Sequence, residues 1–187
     1  MKEVLISIQP KWCELIASGK KTVEVRKTRP KLETPFKCYI YCTQGLFKDL
    51  GVIGDEMYQK RMKVIGEFVC DQVGTVGWFC TPDHPLWKDV YNEESCLSNR
   101  ELYEYSKGDI FYEWNISDLV IYDKPRELSE FWQKGKNDTH FVYDYCAGCI
   151  YHETPIGEYP CNECDGNRKY LYRPPQSWCY VESEDTE

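Results

Sequence analysis

The sequence lacks long hydrophobic runs and has a deficit of positive charge. No stretch of about 18 apolar residues occurs, which excludes a transmembrane helix of ordinary length. The opening residues MKEVLISIQP hold too short an apolar segment for a signal-peptide core, so we expect an intracellular, cytoplasmic protein. The net charge of −8 argues against a general nucleic-acid coat protein, because phosphate binding needs a positive surface.

Histidine is also scarce, with three in the chain, and none has a convincing nucleophile partner in the sequence. Ser/His/Asp and Cys/His catalysis therefore have no support, and no glycine-rich phosphate loop is present. The positive charge is concentrated in one region. Residues 20–37 hold seven Lys or Arg against two Glu. A local basic face is therefore compatible with the negative total.

The 187 residues, of which 42% are hydrophobic, suffice for one core, so we predict a single domain spanning 1–187. Alternation predicts a strand at 22–26, and apolar or β-forming residues predict strands at 4–9, 36–43, 63–74 and 178–182. Residues 109–122 are predicted to form one long strand or two abutting ones. Helical spacing and caps predict short helices at 10–19, 98–108 and within 124–132. Residues 45–62 suit an insertion or a long hairpin, 75–95 look irregular, and 181–187 form an acidic tail. The fold class is α+β, a small β-barrel with two or three short helices packed on it.

Four of the eleven cysteines are clustered, whereas the other seven are scattered through apolar stretches and suit a core. The cluster is two CxxC pairs separated by eleven residues: Cys146, Cys149, Cys161 and Cys164. Four thiolates satisfy tetrahedral Zn²⁺ and leave no open position, so we predict a structural zinc site within an insertion at about 136–170. Redox-active or unpaired thiols are the alternative, and His140 or His152 could replace one cysteine.

The stretch SGKKTVEVRK, residues 18–27, places Thr22, Glu24 and Arg26 on one side of a strand and two valines on the other. These polar residues are either an exposed cross-strand ion pair or the lining of a pocket, with Lys20 and Lys21 at its lip. In a pocket, the glutamate could accept hydrogen bonds from a base or sugar, and the cations could meet a phosphate or carboxylate.

Four segments, in order, resemble the ASCH domain family, which belongs to the superfamily that includes the PUA domains of RNA-binding proteins. They are ISIQPKWCELIASGKKTVEVRK with its GxKxxExR motif, KVIGEFVC, LYEYSKGDIFYEWNISDLVIYDKPRELSEF and RPPQSWCYV. The resemblance implies a PUA-like β-barrel with a cleft beside the first helix, lined by the motif. Ligand-binding residues are then expected at Lys20, Lys21, Thr22, Glu24 and Arg26, with Gln176 and Ser177 near the cleft.

The resemblance implies binding of RNA or of a modified nucleotide or nucleoside. The alternative is a small hydrolase, since some relatives cleave N4-acetylcytidine with a Lys, a Thr and a Glu, and ribonuclease activity is reported for another. Lys21 matches that lysine, but Glu24 stands where those amidohydrolases have threonine. Glu93 and Glu94 correspond only roughly to their glutamate. In an enzyme, Lys21 and Glu24 would be the catalytic residues.

Aromatic side chains make up 15% of the chain, and some of them suit stacking on a flat ligand. Trp12, Tyr41, Trp78 and Trp178 are the candidates, although each also suits a core. A third hypothesis is a protein-interaction module that uses the four-cysteine loop as its docking surface. The acidic total favours that hypothesis over bulk nucleic-acid binding.

Overall fold

The structure, a computed structural model, describes residues 3–45, 53–134 and 168–183. The first half of the chain contains β1 (Glu3–Ile8), α1 (Pro10–Ala17), β2 (Val23–Arg26), β3 (Phe36–Cys42), α2 (Asp55–Gln59), β4 (Lys63–Cys70) and β5 (Val73–Val76). The second half contains β6 (Tyr91–Asn92), β7 (Leu97–Ser98), α3 (Asn99–Ser106), β8 (Phe111–Asn115) and β9 (Ser117–Arg126). A 3-10 turn (Leu128–Glu130) and the strands β10 (Phe131–Lys134), β11 (Arg168–Tyr170) and β12 (Trp178–Ser183) follow.

Both longer helices begin and end where local chemistry predicts. Helix α1 has Pro10 in its first turn, where the missing N–H costs nothing, and Gly19 follows it with φ of 72°. Helix α3 begins with a complete capping box in which Ser98 and Glu101 satisfy each other's backbone N–H groups. It ends at Lys107 and Gly108, which have φ of 61° and 77°.

The main sheet has seven strands in the order β11-β10-β12-β1-β3-β4-β9. Strand β1 lies in its middle, antiparallel to β12 and parallel to β3. A separate three-stranded sheet, β2-β8-β5, is antiparallel throughout, and β6 and β7 form a short hairpin. The connection from β1 to β3 therefore passes through α1 and through a strand of the second sheet.

Apolar side chains are buried on both faces of the main sheet. Ile6, Ile40 and Ile65 belong to the largest cluster, which also contains Ile16 of α1 and Trp114 of the small sheet. On the other face, a second cluster gathers Leu5, Tyr39, Val181 and Phe131 around the 3-10 turn. Apolar side chains therefore cover both faces of the main sheet, and side chains of α1 and of the small sheet belong to the same cluster.

The predicted α+β class is confirmed, with three short helices in the described parts of the chain. The strands do not close into the expected barrel there. Strands β11 and β9 remain the two ends of the main sheet, and β2, β8 and β5 pair among themselves. Residues 53–62 include α2, and the strand predicted at 63–74 divides into β4 and β5.

Two further predictions concern the membrane and the metal. No helix within the described ranges is both long and apolar enough to cross a membrane. The predicted zinc ligands Cys146, Cys149, Cys161 and Cys164 lie outside the described residues. So does most of the predicted insertion, and so does most of the acidic tail.

Candidate functional site

A cavity of about 440 Å³ lies where β1, α1, β2 and the segment before β12 meet. Its volume falls in the range of roughly 300–1,000 Å³ usual for small-molecule sites. The charged part of its wall is Lys21, Glu24 and Arg26, and the aromatic part is Trp12 and Tyr105. The remaining lining residues are polar or aliphatic: Ser7, Ile8, Gln9, Val25, Thr43, Leu97, Pro175 and Gln176.

Glu24 is the centre of a buried ion-pair network. Its carboxylate lies 2.9 Å from Arg26 Nη2 and 3.5 Å from Lys21 Nζ. The exposed fractions are 2% for Lys21, 6% for Glu24 and 8% for Arg26. The alternative of an exposed surface ion pair is therefore wrong, and the polar side of β2 faces the interior beside the cavity.

Backbone carbonyls from distant parts of the chain hold the two cations in place. Lys21 Nζ donates to the Ser95 carbonyl at 2.7 Å, and Arg26 Nη2 donates to the Ser7 carbonyl at 2.7 Å. Arg26 Nη1 also donates to Ser177 Oγ at 3.4 Å. Charge-assisted bonds of this kind are stronger than neutral ones, so they fix the geometry of the wall before any ligand arrives.

One donor in this network has no acceptor. The Nε–H of Arg26 is buried and lacks a hydrogen-bond partner among the described residues. A buried N–H left unsatisfied costs free energy, so native structures normally provide a partner. Arg26 lines the cavity. Because this nitrogen is closed to solvent, an acceptor in the cavity could reach it only if the side chain moved.

Trp12 and Tyr105 carry the aromatic surface of the wall, and each ring has a lysine beside it. Lys11 Nζ lies 4.5 Å from the Trp12 ring centroid, and Lys27 Nζ lies 5.0 Å from that of Tyr105. Burial raises the pKa of the Tyr105 hydroxyl, a shift that the nearby Arg26 guanidinium opposes and the Glu24 carboxylate reinforces. The phenol therefore stays neutral at physiological pH and can donate a hydrogen bond.

The other aromatic candidates pack elsewhere. Tyr41 is buried on the far face of the main sheet. Trp78 packs against Trp87 and Phe111, and Trp178 packs against Trp114. Of the four, Trp12 is the one whose side chain lines the cavity.

The loop before α3 is fastened to the beginning of β2. The N–H groups of Thr22 and Val23 both donate to the Glu94 carbonyl, at 2.9 and 3.0 Å. This attachment brings the Ser95 carbonyl to Lys21.

Glu113 lies on β8, where it pairs with Val25 of β2. Burial, and secondarily the charge of Glu94, raises the pKa of Glu113.

The predicted ligand residues are only partly brought together. Gln176 lines the cavity, whereas Ser177 contacts it indirectly by accepting a hydrogen bond from Arg26. Lys20 and Thr22 are exposed and are not part of the wall. Lys21 lies between these two residues and is buried, so the expected alternation holds within β2, which begins at Val23, but does not extend to Thr22.

Sequence reasoning missed Tyr105, Ser7 and the carbonyl of Ser95. Tyr105 lies on α3 one turn after the buried Leu102 and is 38% exposed, so its spacing from Leu102 is the only sequence signal for its place beside the cavity. Nothing in the local sequence marks Ser7 or Ser95 as partners of charged residues. Their contributions are backbone oxygens, which any residue type would supply.

No group of three or more His, Cys, Asp or Glu side chains is placed to hold a metal ion within 3–45, 53–134 and 168–183. Scattered thiols in the core behave as hydrophobes. Burial raises the pKa of Cys70 to about 12 and that of Cys179 to about 11. These thiols are accordingly poor nucleophiles at neutral pH.

Comparison with known proteins gives a consistent family assignment. The family model for the ASCH domain matches residues 6–125. The crystal structure of ASCH from Zymomonas mobilis is similar over 96% of this chain and 87% of that one, with 20% identity and a TM-score of 0.53. A mutant of that protein gives 20% identity, 97% and 91% coverage and a TM-score of 0.54. No curated protein matches the chain. The family model covers most of the chain and the solved structures share its fold, so the chain belongs to the ASCH domain family.

Proposed function

We propose that this protein binds RNA, or a modified nucleotide, by taking one base into the cavity beside α1. The observation that carries the proposal is the buried trio Lys21, Glu24 and Arg26 in the cavity wall, with Trp12 and Tyr105 next to it. The ASCH family has a PUA-like fold, which suggests RNA binding. The GxKxxExR motif then serves as the polar lining of the site.

The wall offers a hydrogen-bond acceptor and a donor close together. Glu24 presents carboxylate oxygens, and Arg26, whose Nη2 is 2.9 Å from Glu24, brings its guanidinium N–H groups to the same wall. The hydrogen-bonding edges of nucleobases place donors next to acceptors in the same way. Since a site with buried polar groups rejects ligands that leave them unpaired, this pair would select for the base edge.

Base stacking supplies the first test. Trp12→Leu removes aromatic surface from the wall, and stacking on an aromatic ring is worth about 1–3 kcal/mol per base, or roughly 5- to 150-fold in affinity. Trp87→Leu is the matched control, because Trp87 packs against Trp78 and Tyr103 instead. Fluorescence anisotropy with single-stranded RNA measures both. Equal affinities for the two variants would reject the proposal.

A hydrolase using Lys21 and Glu24 is the second candidate. It is favoured by the burial of the Lys21 ammonium in the cavity, 3.5 Å from a carboxylate. Against it, Glu24 is the only carboxylate in the described part of the wall, and it already compensates two cations. Glu93 and Glu94 are exposed and do not line the cavity.

Turnover separates these two functions directly. Purified protein is incubated with N4-acetylcytidine and, separately, with single-stranded RNA, and the products are separated by chromatography. A binding module leaves both intact. Product formation that Lys21→Ala abolishes, with the far-ultraviolet circular dichroism unchanged, would establish the hydrolase instead.

We further propose that Cys146, Cys149, Cys161 and Cys164 hold a structural Zn²⁺, with a protein partner docking on that loop as an additional role. The support is the paired CxxC spacing. A cytoplasmic location suits this site, since thiolates stay reduced there. Elemental analysis of the purified protein should find one zinc per chain, and a Cys146→Ser/Cys149→Ser variant should lose it.

A further inference from the structure

Two lysines stand beside the aromatic rings of the cavity. Lys11 precedes Trp12 in α1, and Lys27 lies 5.0 Å from the Tyr105 ring on α3. The two rings therefore come from different helices that meet at one cavity. Lys27 is exposed and Lys11 is half-buried, and each lies beside a ring of the cavity wall without itself lining the cavity; we call these two lysines the rim pair.

No carboxylate in the described part of the chain forms a salt bridge with either ammonium group. Four other lysines of the described residues form salt bridges with glutamates: Lys21 with Glu24, Lys37 with Glu67, Lys60 with Glu56, and Lys63 with Glu127. Within the same part of the chain, Lys11 and Lys27 form no salt bridge, although the chain has 31 acidic residues against 23 basic ones. Their charge is available to an anion.

The interior of the cavity is different. Glu24 pairs with both Lys21 and Arg26, so the inner wall carries one net positive charge that is further spread over backbone carbonyls. That interior suits an uncharged, polar base. Two charges that form no salt bridge with a described residue, those of Lys11 and Lys27, lie outside it, next to the two rings.

We propose that the ligand is an internal nucleotide of a single-stranded RNA, whose base enters the cavity while the flanking phosphates contact Lys11 and Lys27. This inference rests on the proposed function and names the substrate class as a polymeric strand, not a free nucleoside. The net charge of −8 disfavours nucleic-acid contacts over much of the molecule, so contacts should be concentrated near the basic region 20–37, which includes Lys27. The footprint on RNA is accordingly short.

The salt dependence of binding measures how many phosphates the protein contacts. Each phosphate neutralised on a single strand adds about 0.7 to the slope of log K against log salt concentration. Lys11→Gln/Lys27→Gln should therefore reduce that slope by about 1.4 and weaken binding about tenfold at low salt. Lys107→Gln/Lys124→Gln removes the same charge from exposed positions outside the cavity wall and is the matched control.

Fluorescence anisotropy with a labelled single-stranded oligoribonucleotide, titrated at several salt concentrations, compares wild type, both double variants and Trp12→Leu. Support requires a lower slope for the rim pair, an unchanged slope for the control pair, and weaker binding for Trp12→Leu. Melting curves for every variant confirm that the fold is retained. The DNA oligonucleotide of the same sequence should bind more weakly.

The outcomes separate the two proposals. If Trp12→Leu weakens binding while the rim pair behaves like its control, the phosphate contacts are refuted and base binding stands. If the rim pair alone matters, the strand crosses the surface without inserting a base, and the proposed function fails together with this inference. Absence of RNA binding by the wild type overturns both, and equal affinity for DNA overturns the assignment to RNA.

Discussion

Glu24→Gln measures how strongly the cavity network depends on burial. Its carboxylate pairs with two cations while its side chain is 8% exposed, so the substitution leaves both cations without a counter-ion in a region that water barely reaches. Breaking a buried ion pair by removing one partner costs about 3–5 kcal/mol. The amide oxygen of glutamine retains one acceptor, which places the expected loss near 3 kcal/mol, or a Tm decrease of roughly 6–12 °C.

Urea denaturation followed by tryptophan fluorescence gives the free energy of unfolding. The control is Glu56→Gln, because Glu56 lies 2.7 Å from Lys60 yet its side chain is 85% exposed. Solvent screens such a pair, so this variant should leave stability unchanged within error. The Glu56–Lys60 pair is shorter than either pair of Glu24. If it nevertheless contributes less to the free energy of unfolding, then burial, not distance, determines that contribution. Equal effects for the two variants would refute that reasoning and the picture of a desolvated wall.

Further predictions test the fold and the cysteine loop. Gly66→Ala should lower the free energy of unfolding by about 3 kcal/mol or more, because a Cβ there would lie 2.3 Å from the Val120 carbonyl oxygen. Gly74→Ala, where the nearest atom is 3.6 Å away, should be much milder in the same urea titration. Ser98→Ala removes the α3 cap and should cost about 1 kcal/mol, and Ser98→Thr should restore most of it. Chelation with excess EDTA should release zinc and increase proteolysis within 136–170; cleavage that does not change on chelation would count against a structural metal.

The secondary structure was predictable wherever local chemistry determines it. Each signal acts over a few residues: the proline at the start of α1, the capping box of α3, the alternating residues of β2 and the β-forming residues of β3. Each of these elements formed as expected. Whether the strands close into a barrel was not predictable from local sequence, because closure depends on which strand ends meet across the molecule. The pairing of β1 with both β12 and β3 involves residues that are far apart in sequence.

Only part of the candidate site could be predicted from the local sequence, for the same reason. Periodicity placed Glu24 and Arg26 on one side of a strand, but it could not say whether that side meets water. What buries them is α1 on one side and the segment before β12 on the other, where Ser7 Oγ donates to the Pro175 carbonyl at 2.7 Å. Burial by segments that are distant in sequence leaves no pattern in the local sequence. The resemblance to a family supplied what periodicity could not.

The backbone carbonyls that bind Lys21 and Arg26 are themselves held in place by the fold. The carbonyls of Ser7 and Ser95 hold Arg26 and Lys21, and both belong to backbone that is itself fixed by other hydrogen bonds. Ser7 N–H donates to the Ser177 carbonyl, and Ser95 N–H donates to the Asn92 side chain. The charges are thus oriented by the fold and need no rearrangement when a ligand enters. Because ordering costs are met during folding, a small cavity with few polar groups can still bind selectively.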